Sequence, residues 1–381
     1  MTPGARASAA IAILDRILAG DPAEKALTNW GRASRYAGSG DRAAVRDLVF
    51  EALRQRRSAA ALGGGLTGRG LILGLMRAAG KEALFSGEGH APPPPAPDEV
   101  GRPPDPDERL DLPDWLLPDL RAGLGPDLAP IAKALRHRAP VFLRVNLGKA
   151  DLPGARTALA AEGIVARPHP LSPTALEVLE QARKVQASAA YREGLVELQD
   201  LSSQTVVDAL PLREGMKVLD HCAGGGGKTL AMAARARLRL FAHDANPRRM
   251  ADLPERARRA GAEITLTDRP EAQAPYDLVL VDAPCSGSGS WRRDPEGKWS
   301  LTSEVLDRTT ETQRKILDRV APMVGPAGVL AYATCSLLRR ENADQARAFL
   351  DRHPEFVLER EMTLTPIQGG DGFYLAIFRR R

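Results

Sequence analysis

Cysteine is scarce in this chain, with three in 381 residues, and Cys222, Cys285 and Cys335 lie 63 and 50 residues apart without a C-x-x-C pair. An odd count at such spacing offers neither a disulfide framework nor a zinc site. No metal is expected, and any cysteine chemistry would use free thiols. Long apolar runs are also missing. No stretch approaches the eighteen or so residues of a membrane span, and the apolar start around Ile11 is broken by Asp15 and Arg16. The expectation is a protein with no membrane segment and no signal peptide, at home in the cytoplasm.

What the chain has is charge, unevenly placed. Lys and Arg number 53 against 48 Asp and Glu, for a net charge of +5. Residues 1–57 hold ten basic and six acidic side chains, whereas 87–119 hold nine acidic and two basic ones. A basic excess suits a polyanionic partner, although a solvated face would read the same way.

Ala10, Ile13, Leu14, Ile17 and Leu18 repeat at helical spacing, as do Val45, Leu48, Val49, Ala52 and Leu53, so residues 1–85 are expected to form a helical domain. The run HAPPPPAPDEVGRPPDPD, from His90, removes backbone donors and disfavours helix, which predicts a linker over 86–110. A small mixed α/β unit follows over 111–197, with VFLRVNL at Val141–Leu147 as a strand. From 198 to 381 strand-like and helix-like stretches alternate: MKVLDHCA, KTLAMAARA, RLFAHDA, PRRMADLPERARRAG, EITLTD, YDLVLVDAP and GVLAYATCS. Such alternation predicts a parallel, doubly wound α/β sheet, whose ligands bind beyond the carboxyl ends of the strands. Asp220, Asp244, Asp268, Asp282 and Thr334 all fall there.

Within that edge lies DHCAGGGGKT, from Asp220 to Thr229. A Walker phosphate loop needs glycine six positions before its lysine, where Cys222 stands. A G-x-G-x-x-G fingerprint needs a third glycine where Thr229 stands. The glycines still let backbone approach a ligand, and Asp244 sits where a carboxylate would meet ribose hydroxyls. Helix capping is the alternative role for Asp244, and a cap or turn role for Asp268. An adenosine-containing cofactor without phosphates fits this pattern. Its predicted site comprises Cys222, Ala223, Gly224, Gly225, Gly226, Gly227, Lys228, Asp244, Arg249, Asp268 and Asp282. Cys285 and Cys335 follow two further strands, in VDAPCSGSGSWRRDPEGKW and YATCSLLRRENADQ. A lone free cysteine is usually a small buried residue, but two at a ligand-bearing edge suggest nucleophilic chemistry.

The paired PCSG and TCS stretches, at Pro284–Gly287 and Thr334–Ser336, resemble the RsmB/Sun family of S-adenosylmethionine-dependent RNA cytosine-5 methyltransferases. LQDLSSQ at Leu198–Gln204 and GGDGFYLAIFRR at Gly369–Arg380 resemble the two ends of its catalytic domain. FLRVNL resembles its RNA-binding subdomain, and GDRAAVRDLVFEALR at Gly40–Arg54 its NusB-like helical domain. The resemblance implies a class I, Rossmann-like methyltransferase domain, S-adenosyl-L-methionine as cofactor, and RNA, specifically small-subunit ribosomal RNA, as substrate of a monomer. It implies Cys335 as the nucleophile, Cys285 as the residue assisting release, and Asp282 as a contact to the base. Gly225 departs from the family's loop, which has proline there. Arg292, Arg293 and Lys298, with Trp291 and Trp299, form a basic stretch with aromatics suited to RNA, or to core packing. Rival readings are a DNA cytosine-5 methyltransferase and a non-catalytic RNA-binding or assembly factor.

Overall fold

The computed structural model describes all residues, Met1–Arg381. The chain forms two compact units, one of Met1–Arg138 with Trp291–Ser300 and one of Ala139–Ser290 with Leu301–Arg381.

The first unit is helical. Its helices are α1 (Pro3–Leu18), α2 (Ala23–Ala33), α3 (Ser39–Arg54), α4 (Arg56–Gly63) and α5 (Gly68–Ala78). Thr2 caps α1 by accepting from the Ala5 amide, and proline at the first helical position lacks only a donor that would be unsatisfied there. The apolar stripe expected on α1 and α3 is the one buried: Ile13, Leu14, Val45, Val49 and Leu53 pack with Leu71 and Ile72 of α5. Helices α4 and α5 approach closely enough that a β-carbon on Gly74 would lie 1.9 Å from the Ala59 carbonyl oxygen, so only glycine fits.

One expectation differs from this unit. The proline-rich stretch over 86–110 is packed against the helices instead of linking domains. Ser8 donates to the His90 carbonyl at 2.8 Å, Arg69 pairs with Glu99 at 2.5 Å, and the Arg102 amide donates to the Ala61 carbonyl at 2.9 Å. Just beyond it the fully buried Asp111 accepts from the amides of Arg57 and Ser58 at 3.0 and 2.9 Å and pairs with Arg136 at 3.0 Å. Prolines leave few amides to satisfy, so an extended strap costs little to bury. The Trp291–Ser300 stretch, suited by sequence to RNA or to core packing, follows the second reading. Trp291, Arg292 and Lys298 are buried. Trp299 Nε1 donates to the Leu53 carbonyl at 2.7 Å and Lys298 Nζ to the Arg54 carbonyl at 3.0 Å. The last carbonyls of a helix have no intrahelical donor, and these side chains satisfy those of α3. Burial pulls the Lys298 ammonium down to about 7.

The second unit begins with an antiparallel four-stranded sheet of β1 (Val141–Val145), β2 (Val165–Pro168), β3 (Ala175–Glu180) and β4 (Val196–Leu198), in the order β2-β3-β1-β4. A seven-stranded sheet follows: β5 (Lys217–Asp220), β6 (Arg239–Ala242), β7 (Thr265–Leu266), β8 (Tyr276–Asp282), β9 (Val324–Thr334), β10 (Phe356–Leu364) and β11 (Phe373–Arg380), in the order β10-β11-β9-β8-β5-β6-β7. Strands β5 to β9 pair in parallel, as expected, while β11 runs antiparallel between β9 and β10. Alternate residues of the central strands feed two cores. Leu219, Val279, Val281 and Leu330 pack on one face, and Val218, Leu278, Leu280 and Val329 on the other. A strand buried on both faces reads as a continuous apolar run, which is why DLVLV is legible as one. The chain winds outward from β5 to β7, then restarts on the other side of β5 at β8, and this reversal opens a crevice at the carboxyl ends of β5 and β8. No single helix is long and apolar enough to cross a membrane.

Candidate active site

Three carboxylates stand at the crevice, each at or just past a strand end. Asp220 closes β5 and is fully buried; its Oδ2 accepts from Thr229 Oγ1 at 2.6 Å, and its Oδ1 has no partner. Burial, helped by the nearby Asp282 and Asp244, pushes its carboxyl up to about 7. Asp244, past β6, accepts from the Gly224 amide at 3.0 Å and the Asn246 amide at 2.9 Å, and pairs with Arg249 at 3.2 Å. It therefore ties the glycine loop to the loop after β6. The capping alternative falls to Asn246, whose side chain accepts from the Arg248 amide. Asp282 closes β8 and pairs with Lys228 Nζ at 2.8 Å.

The glycine loop runs from Cys222 into the helix Gly227–Ala233. Gly226 has φ +78°, and a β-carbon there would fall 2.2 Å from Leu253 Cδ1, so this position requires glycine. The Ala223 amide donates to the His243 carbonyl, and the Gly225 carbonyl accepts from Arg256. The half-buried Cys222 thiol is pushed up by burial and the surrounding carboxylates, and keeps its proton. Lys228 is buried over the Phe373 ring at 4.7 Å; burial opposes its charge, but Asp282 outweighs that and the net shift is upward.

Cys285 and Cys335, fifty residues apart, come together with their sulfurs at 3.3 Å. The parallel pairing of β8 with β9 puts their strand ends side by side. Either sulfur can donate in this contact, and the bond to Cys335 together with burial raises the Cys285 thiol well above its ordinary value. The arrangement thus holds two thiols in contact at the carboxyl ends of β8 and β9, where an ammonium–carboxylate pair also lies.

The family described as 16S rRNA methyltransferase RsmB/F matches residues 207–378, and the ferredoxin-like domain of RsmF/B-like methyltransferases matches residues 112–186. Ribosomal RNA small subunit methyltransferase B of Salmonella arizonae is 34% identical over 286 residues, 71% of this chain and 66% of that protein. The chain belongs to the RsmB/F methyltransferase family. The alignment spans about two thirds of its curated relatives' length. The crystal structure of PH0851 superposes with a TM-score of 0.77 at 22% identity, covering 100% of this chain and 99% of that one. NSun6 from Pyrococcus horikoshii, solved with SFG, superposes with a TM-score of 0.62 at 18% identity over 70% of this chain and 98% of its own. Both share the fold.

Every predicted site residue lies inside the span that matches the RsmB/F family. All but one of them are joined by the contacts just described or lie within the glycine loop. Asp268, past the two-residue β7, is the exception, for it is exposed. Other residues of the site are not assigned a role by sequence. Asp220 carries the same signal as Asp244 and Asp282, an acidic residue ending a strand, and its position at the edge is all that the pattern gives. His221 packs against His243 with tilted rings 4.8 Å apart, and burial holds its ring neutral by pulling it down to about 4. Arg144 of β1 donates to Gln199 Oε1 at 2.6 Å and to the Gly227 carbonyl at 2.7 Å, anchoring the start of the helix that carries Lys228. Glu341 binds both serines that follow the cysteines. Only side-chain positions identify these last two.

Proposed function

We propose that the protein methylates carbon 5 of a cytosine in RNA, small-subunit ribosomal RNA being the substrate its relatives are named for, through a covalent cysteine adduct. The observation that carries this reading is the 3.3 Å contact between Cys285 and Cys335 beside the Lys228–Asp282 pair. Carbon 5 of cytosine is a poor nucleophile until a thiolate adds at carbon 6 and turns the ring into an enamine. In this reading Cys335 Sγ forms that bond, and Asp282 contacts the base near ring nitrogen 3 and the exocyclic amine. Once Cys335 is bonded to carbon, the contact with it that holds the Cys285 thiol up is lost, and Cys285 ionises more readily. After carbon 5 of the enamine has gained the methyl group, the Cys285 thiolate takes the remaining proton from carbon 5, the 5,6 double bond re-forms, and the bond from carbon 6 to Cys335 Sγ breaks with Cys335 leaving as thiolate.

The residues fit S-adenosylmethionine as methyl donor. Asp220 Oδ1 is buried without a donor, and Asp220, Asp244 and Asp282 make the crevice rich in acceptors, which suits hydroxyl, ammonium and sulfonium groups and opposes phosphates. Cys222 to Lys228, Asp244, Arg249 and Asp282 would hold the cofactor, with Asp268 reaching it from the exposed end of β7. That NSun6 was solved with SFG, and that the family is named for methyl transfer, support the assignment. The basic residues of 1–57 are proposed to engage RNA phosphates.

The test separates the thiols. With RNA and S-adenosylmethionine, Cys335→Ala should form no conjugate and transfer no methyl group. Cys285→Ala should methylate and then accumulate as a protein–RNA conjugate that survives denaturing electrophoresis. A conjugate trapped by Cys335→Ala alone would reverse the roles, as a DNA-type enzyme requires. Full activity of both variants would end cysteine catalysis here.

A further inference from the structure

Glu341 is fully buried after the short helical turn Arg339–Glu341. Its Oε1 accepts from the Ser286 amide at 2.8 Å and from Gln313 Nε2 at 3.1 Å, and its Oε2 accepts from the hydroxyls of Ser286 and Ser336. Ser286 follows Cys285 and Ser336 follows Cys335, so one carboxylate holds the residue next to each thiol. Neighbouring bonds stiffen the same clamp. Ser288 Oγ contacts Ser336 Oγ at 3.0 Å and accepts from the Leu337 amide at 2.8 Å, Gln313 also donates to the Pro284 carbonyl at 2.9 Å, and Tyr332 donates to the Glu341 carbonyl at 2.6 Å. All the partners of the carboxylate are uncharged. Burying an anion among neutral groups is costly even when it is hydrogen-bonded, and an apolar side chain would fill the space without that cost. The charge is therefore retained for something beyond packing.

We infer that Glu341 is a positioning residue: its carboxylate clamps the loop after β8 to the loop after β9 and fixes the sulfur–sulfur contact. An amide could reproduce part of the clamp, because its oxygen accepts at one end while its NH2 faces hydroxyls that can themselves accept, but it carries no charge. The titratable groups facing Cys285 are Cys335, Glu341 and, from β9, Tyr332, while Lys228 faces Cys335. Of these, Glu341 adds a field that opposes ionisation of the Cys285 thiol. The catalytic meaning of this device rests on the methyltransferase reading. The geometry and the charge effect do not.

The test accordingly needs neither RNA nor cofactor. Iodoacetamide alkylation of Cys285 in the full chain, followed by peptide mass between about pH 6 and 10, reports its thiolate fraction, with Cys222 as internal control. Glu341→Gln should alkylate Cys285 about tenfold faster throughout this range, the equivalent of about one pH unit, and Glu341→Asp should restore the wild-type rate. An unchanged rate in Glu341→Gln, or an equal acceleration in both variants, would overturn the charge role. If Glu341→Gln does not fold, Ser336→Ala removes one arm and keeps the charge. Phenylarsine oxide, which bridges two adjacent thiols, should then bind about tenfold more weakly, as expected when a hydrogen bond to a charged group is removed. Unchanged arsenical binding would remove Glu341 as the clamp.

Discussion

Asp220 makes the folded chain sensitive to pH in a calculable way. Its carboxyl is raised from an ordinary value of 3.8 to about 7, first by burial and then by Asp282 and Asp244, while Thr229 and Lys228 pull it back. Between these values the folded protein holds a proton that the unfolded chain has released. Stability contributed by this group is therefore largest in acid, falls as pH rises from about 4 to about 7, and is flat above. At about 1.4 kcal/mol per pH unit, the part that disappears between pH 5 and pH 8 is about 3 kcal/mol, because only the interval up to about 7 counts. Asp220→Asn cannot ionise. Its amide oxygen still accepts from Thr229, and any penalty from its unpaired NH2 is the same at both pH values. Urea denaturation of both proteins at pH 5 and pH 8 should show the variant gaining about 3 kcal/mol on the wild type as pH rises. A stability difference that stays constant with pH would refute the idea that Asp220 is held protonated. The same property predicts that a cationic ligand in the crevice expels a proton near neutral pH, which calorimetry in buffers of different ionisation enthalpy would detect.

Asp244→Ala should weaken S-adenosylmethionine binding by about 1 to 3 kcal/mol in calorimetry, because the Gly224 and Asn246 amides lose their acceptor; unchanged affinity would take Asp244 out of the site. Arg32 and Arg35 are exposed beside Tyr36, itself 75% exposed, and reversing both to glutamate should weaken RNA binding and reduce its salt slope by about one for each phosphate no longer neutralised. An identical slope would place RNA elsewhere. Phe349 packs against Phe356, Phe378 and His353 with ring centroids 5.2, 4.9 and 4.6 Å away, so Phe349→Ala should cost about 3 to 5 kcal/mol of stability in denaturation, and a loss under about 1 kcal/mol would contradict the packing.

Much of this protein is legible from local pattern. Spacing of Ile13, Leu14, Val45 and Val49 marks α1 and α3 because one face of a helix meets the core every three or four residues. The apolar runs at β5, β8 and β9 mark buried parallel strands, and acidic residues ending them mark the crevice, because period and punctuation are properties of the chain alone. The pair PCSG and TCS is enough to suggest the chemistry. What the chain alone leaves open depends on partners distant in sequence. The proline-rich stretch reads as a linker until Glu99 meets Arg69, and Trp299 and Lys298 read as a nucleic-acid surface or as core packing until they reach the last carbonyls of α3. Cys285 and Cys335 come into contact only through the β8–β9 pairing, and Glu341 reaches both of the following serines only because they turn toward the same buried carboxylate. Hydrogen bonds and ionisation respond to distance and burial in three dimensions. Periodicity encodes which face of an element is buried, but not which polar group will be waiting there.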